Sequence, residues 1–166
     1  MGKTWKEMKD EMNKAPKGEG RNPKLTVGNY KLLVTKARLI RDEDSKEESD
    51  PDKIKYLGLG VTFKVVESNG PDSLAVGIDA DKVFWMEAPK KWMRERNFRT
   101  LRSFIERLTG EDIADLGDDM IAQLVGFVIY NQVTEGNDPL YPEDNWAHIP
   151  QTVEDVLANR VELEDA

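Results

Sequence analysis

Asp79, Asp81 and Glu87 fall within one nine-residue stretch. Clustered carboxylates of this kind can hold divalent cations for phosphodiester hydrolysis. Nothing nearby completes such a centre. Neither Pro51-Asp52 nor Pro71-Asp72 is followed by an acid two positions before a lysine, and the chain has one histidine, His148, and no cysteine. A Walker loop, a nucleophile elbow and a GxGxxG turn are all missing from the sequence. No catalytic residue, metal or cofactor is expected, and the carboxylates read as solvated strand ends and loops.

A second constellation suits binding rather than catalysis. KYLGLGVTFKVV, residues 55–66, alternates regularly, so its side chains divide between two faces. Leu57, Leu59, Val61, Phe63 and Val65 share the apolar side. Tyr56, Gly58, Gly60, Thr62 and Lys64 share the other, an aromatic ring, two bare backbone positions, a hydroxyl and a cation, with Lys55 just before them. Glycine weakens a strand interior, so two on one face imply close approach of something else. VGFVIYNQV, 125–133, likewise turns Tyr130 and Gln132 outward, and Lys36 and Arg38 add positive charge on an earlier strand, although Tyr30, Leu32 and Val34 have the same parity. Rings beside cations are what a single strand of nucleic acid needs: bases stack with little regard to sequence and phosphates follow the charge. The competing structural readings are that the glycines relieve barrel curvature and that the tyrosines pack under loops.

The chain carries a net charge of −8, which taken alone argues against nucleic acid. The charge is segregated, however, and local sign decides what a surface attracts. PKKWMRERNFRTLRSFIERL, 89–108, holds seven basic residues against two acidic ones. Lys90, Lys91, Arg94 and Arg96 at its start are candidate phosphate contacts; a merely solvated face is the alternative. Trp85 and Trp92 read as core or rim packing. DEDSKEESDPD, 42–52, is an acidic loop, and the C-terminus is acidic again through Glu154, Asp155, Glu162, Glu164 and Asp165.

The elements that would carry these residues follow from periodicity. Trp5, Met8 and Met12 fit a short amphipathic helix in 3–14, and APKGEGRNPK, 15–24, reads as a flexible connection. Strands are expected at 28–40, 54–66 and about 74–86, the last with a bulge near Ala80 and Asp81 where the alternation changes phase. Leu101, Phe104, Ile105 and Leu108 mark a helix ending at Gly110, and 111–124 a second short helical segment. A fourth strand at 125–133 and a fifth around 145–153 complete the set. At 166 residues the chain suits one domain at 27–153, preceded by an N-terminal arm, 1–26, and followed by an acidic C-terminal tail, 154–166. Three strands, a helical insertion and two more strands is the order of the mainly β OB-fold, a five-stranded Greek-key barrel. No apolar run nears the roughly 20 residues of a membrane span, and the absence of cysteine fits a reducing compartment, so a cytoplasmic protein is expected.

GNYKLLVTKARLI, KYLGLGVTFKVV, the helix ending FIERLTG and LVGFVIYNQV together resemble small phage single-stranded DNA-binding proteins of OB-fold type, from replication and recombination modules. The resemblance covers about 27–150 and lies in the order of elements. It implies a sequence-tolerant single-stranded DNA-binding protein that protects or presents DNA, located in the host cytoplasm if phage-encoded. It also implies an acidic tail that recruits replication or recombination proteins through residues such as Glu162, Glu164 and Asp165 and competes with DNA for the groove. This chain ends in Ala166 rather than in an aromatic residue. A non-catalytic protein–protein interaction module on a small β-barrel is the alternative function.

Overall fold

The computed structural model describes residues 4–14, 22–45, 47–117, 119–137 and 142–165. Most of the connection expected at 15–24 lies outside them. Five antiparallel strands form one sheet: β1 (Gly28–Arg41), β2 (Tyr56–Asn69), β3 (Asp79–Trp85), β4 (Val128–Thr134) and β5 (Glu143–His148), in the order β3-β2-β1-β4-β5. Among the described residues there are also helices α1 (Trp5–Lys14), α2 (Lys91–Thr109), α3 (Met120–Gln123) and α4 (Val153–Asp165), with three short 3-10 turns. The protein is thus mainly β, with α2 between β3 and β4 in the chain.

Alternation on β1 and β2 decides which side is the core. Leu32, Val34, Leu59, Val61, Phe63, Val65 and Ile129 are buried on one face of the sheet. α2 lays Leu101, Phe104, Ile105 and Leu108 against that face, a three- and four-residue spacing that makes one helical stripe. Phe104 enters an aromatic cluster, stacked on Phe84 at 4.5 Å and edge-on to Trp146 at 4.8 Å, with Phe63 5.7 Å from Trp146. Each such pair adds about 0.5–1.5 kcal/mol beyond its buried area. Gly110 ends α2 at φ 76°, its N–H donating to the Glu106 carbonyl. A side chain there would meet the His148 ring, which bonds the Arg107 carbonyl through Nδ1 at 2.8 Å. His148 is a packing residue at a helix end.

One ion pair links the two edge strands across the core side of the sheet: Lys82 Nζ of β3 lies 2.6 Å from Asp144 Oδ2 of β5. Buried Asn131 donates to the other oxygen of Asp144 at 3.3 Å. This trio explains the change of alternation near Ala80 and Asp81. β3 runs in regular register from Asp79 to Trp85 without a bulge; Ala80, Lys82 and Phe84 all sit on the core side, and the phase looks broken only because one inward residue is a lysine. The register between β1 and β2 shifts at three places: Thr35 is the extra residue on β1, between Val34 and Lys36, whereas Val66 and Leu57 are the extra residues on β2, opposite Lys31/Leu32 and Ile40/Arg41.

Of the residues expected as an acidic tail, 154–165 lie in helix α4 (Val153–Asp165), which contacts the segment entering β4. Thr152 and Asp155 cap one another reciprocally, Thr152 N–H to Asp155 Oδ2 at 3.2 Å and Asp155 N–H to Thr152 Oγ1 at 3.1 Å. Val156 is buried. Arg160 donates from Nε to the Val125 carbonyl at 2.6 Å and from Nη2 to the Gln123 carbonyl, while Asn159 Nδ2 bonds the Gly126 carbonyl at 2.8 Å. Gly126, at φ 98°, leaves room for this docking, since a Cβ would lie 2.7 Å from the Val156 carbonyl oxygen. Charged hydrogen bonds contribute about 1.5–3 kcal/mol each. Arg160→Ala is therefore expected to lower the thermal midpoint by several degrees, and an unchanged midpoint would mean that α4 adds nothing to the fold.

Candidate nucleic-acid interface

The face of the sheet opposite the core is built from rows of residues paired across strands, which share a side. Lys36 stands opposite Thr62, which pairs in turn with Asp81. Arg38 stands opposite Gly60, then Val83; Ile40 opposite Gly58, then Trp85. Lys31 pairs with Tyr130 on β4, and Arg41 with Tyr56 at the start of β2, where the register shift after Ile40 interrupts the alternation. The bulge at Thr35 resolves the parity conflict on β1. One extra residue there lets Tyr30, Leu32 and Val34 face the core while Lys36 and Arg38, beyond the bulge, face out.

The two glycines have different neighbours. A Cβ on Gly58 would lie 2.7 Å from the Phe84 carbonyl oxygen and 3.3 Å from Trp85 Cα, so the close approach there is the protein's own β3. A Cβ on Gly60 would meet only Arg38, Nε at 3.5 Å and Cγ at 3.6 Å, which is ordinary contact. Both glycines are buried. Gly60 is a shelf on which the Arg38 side chain lies, rather than a bare floor.

The cations divide in the same way. Lys31, Lys36, Arg38 and Lys64 form no salt bridge among the described residues, although Lys31 stands opposite Glu67 and Lys64 opposite Asp79. Lys55, preceding Tyr56, receives Asp42 N–H on its carbonyl at 2.9 Å. On α2, Lys91 is 4.0 Å from Glu95, and Arg94 is 3.6 Å from Glu87 while also donating to the Ala88 carbonyl. Arg102 pairs with Glu106 and Asp112, and Arg107 donates to the Trp146 carbonyl. Of the seven basic residues of this segment, Lys90, Arg96, Arg99 and Arg107 lack an acidic partner among the described residues, Arg107 being held by the Trp146 carbonyl instead. Arg96 lies over the Trp92 ring at 5.3 Å. The acids of β3 are partly engaged: Asp81 accepts from Thr62 Oγ1 at 2.7 Å and from Asn22 Nδ2 at 3.2 Å. Cations without a salt bridge therefore stand on the outer rows of β1 and β2, interspersed with Glu67, Asp79 and Asp81, and others stand at the start of α2.

Tyr130 is 47 % exposed and Tyr56 36 %. Their rows on β1 are ten residues apart, at Lys31 and Arg41. That is roughly 30 Å of strand. Trp85 and Trp92, expected as core or rim packing, are 54 % and 55 % exposed and so lie outside the core. Once Phe84 is placed inward, alternation alone sends Trp85 outward. Glu162, Glu164 and Asp165 lie exposed on the last turns of α4.

The sequence matches no protein-family model and no curated protein. Among the described residues no helix is long and apolar enough to cross a membrane.

Proposed function

We propose that the protein is a non-catalytic, sequence-tolerant single-stranded DNA-binding protein that acts by phosphate neutralisation and base stacking. The observation that carries this reading is the outer sheet face, where Lys31, Lys36, Arg38 and Lys64 run without salt bridges between the exposed rings of Tyr56 and Trp85 at one end and Tyr130 at the other. An OB-type barrel is the finer fold reading. It is supported by the strand order, by α2 between β3 and β4, and by the Lys82–Asp144 pair across the two sheet edges. Protection or presentation of DNA in phage replication or recombination, in the host cytoplasm, is the role this chemistry fits. The exposed acids Glu162, Glu164 and Asp165 would serve a replication or recombination partner.

The test is a titration of labelled single-stranded and duplex oligonucleotides at two salt concentrations. Single strands should bind far more tightly, because stacking on Tyr56, Trp85 and Tyr130 requires unstacked bases and contributes about 1–3 kcal/mol per base. Equal affinity for both forms would remove the stacking role.

A protein-interaction module is the second reading, and α4 favours it. Val153, Leu157 and Val161 recur every four residues and are 76 %, 48 % and 55 % exposed. Binding that hardly changes with salt would support this reading, because phosphate contacts release counterions and make affinity fall steeply.

A further inference from the structure

Beyond Gly58, the outer face opens into a cleft of about 530 Å³ lined by Leu57, Trp85, Glu87, Ala88, Pro89 and Arg94. Trp85, Leu57 and Pro89 supply apolar walls, with the indole more than half exposed. The polar side is one carboxylate held in place. Glu87 Oε1 accepts the Ala88 N–H at 3.1 Å and lies 3.6 Å from Arg94 Nη1, which itself donates to the Ala88 carbonyl at 3.1 Å. Glu87 Oε2 has no partner among the described residues. An acid beside a phosphate path repels the ligand unless it meets hydrogen-bond donors, and an ionised carboxylate only accepts. Single-stranded bases are read in this way, stacked on an aromatic ring and hydrogen-bonded on the Watson–Crick edge. On that edge guanine offers two adjacent donors, N1–H and N2–H. Adenine and cytosine offer a single amino group beside an acceptor, and thymine a single N–H between two carbonyls.

We propose that this cleft binds a guanine base of the bound strand, its ring on Trp85 and its N1–H and N2–H donating to the Glu87 carboxylate. Arg94 fixes that carboxylate and offsets its charge. The inference rests on the single-strand reading and adds to it one base-selective position in an otherwise tolerant interface.

The experiment compares oligo-dT strands carrying guanine, inosine, adenine or cytosine at one position by fluorescence anisotropy. Guanine should bind about tenfold more tightly than the all-dT strand, the lower part of the range for a bidentate base contact. Inosine, lacking the N2 amino group, should fall between them, and adenine and cytosine should add little. In Glu87→Gln the ratio between the guanine strand and the all-dT strand should collapse to about one. Equal affinity of the two strands for the unaltered protein, or a guanine preference kept in Glu87→Gln, overturns the proposal while leaving single-strand binding intact. A dGMP titration followed by Trp85 fluorescence, with Trp85→Phe as the blank, separates the remaining case. Saturable quenching without binding of any strand keeps the base site and rejects the single-strand reading, and absence of both overturns both.

Discussion

Gly58→Ala is expected to destabilise the protein by about 1–3 kcal/mol, the usual cost of forcing extra volume into a packed site. At about 2–4 °C per kcal/mol for a chain of this size, the thermal midpoint should fall by several degrees. The added methyl would sit 2.7 Å from the Phe84 carbonyl oxygen, and backbone of a paired strand has little room to give. Gly60→Ala should stay within about 0.5 kcal/mol, because its new neighbour is the Arg38 side chain at ordinary contact distance. Gly60→Val should also fold, since valine suits a strand. It would lift Arg38 from its shelf, so oligonucleotide binding should weaken with the midpoint preserved. If Gly58→Ala proved as stable as the parent, β3 would not be what excludes a side chain there. A Gly60→Val protein with a normal midpoint and normal binding would remove Arg38 and Gly60 from the interface.

Replacing Lys31, Lys36, Arg38 and Lys64 together by glutamine should produce the largest loss of binding, at least about tenfold at low salt. The dependence of log K on log salt should flatten by about 0.7 for each phosphate no longer neutralised. On α2 the effect should divide according to who is already paired. Lys90→Gln with Arg96→Gln should flatten the slope, whereas Lys91→Gln should change it little, because Lys91 already faces Glu95. Circular dichroism on each variant confirms that binding, not folding, has changed. An unaltered slope in the four-residue variant would exclude the outer face as the phosphate path.

Alternation on β2 is enough to assign Leu59, Val61, Phe63 and Val65 to the core and Lys64 to the outside, because a strand with one buried face has a period of two and tolerates no other arrangement. The stripe Leu101, Phe104, Ile105 and Leu108 marks α2 for the equivalent helical reason. α4 escapes such a reading because its apolar residues do not mark a buried side: Val153, Leu157 and Val161 are exposed and only Val156 is buried. The spacing of Thr152 and Asp155 is the one local sign of its start. The bulge at Thr35 is equally hidden, since a bulge is set by how β1 must pair with β2 and β4 at once.

Residue identity and spacing by themselves marked the first four strands, the faces of β2 from Leu59 onward and of β4, the segment rich in cations and the exposure of Tyr56 and Tyr130, but not that Leu57 lies outside the core. These depend on interactions within a few residues, where chain geometry leaves few choices. Only the tertiary structure decided that Gly58 makes room for β3, that Arg38 covers Gly60, that Trp85 and Trp92 face outward, and which arginines of α2 are already engaged. Lys82 shows the difference most clearly: its place on the core side is tolerable only because Asp144, 62 positions later in the chain, arrives on the opposite sheet edge to meet its charge. Contacts of that kind are made only when the sheet is assembled, and the hydrophobic pattern that drives the assembly does not record which polar groups it brings together.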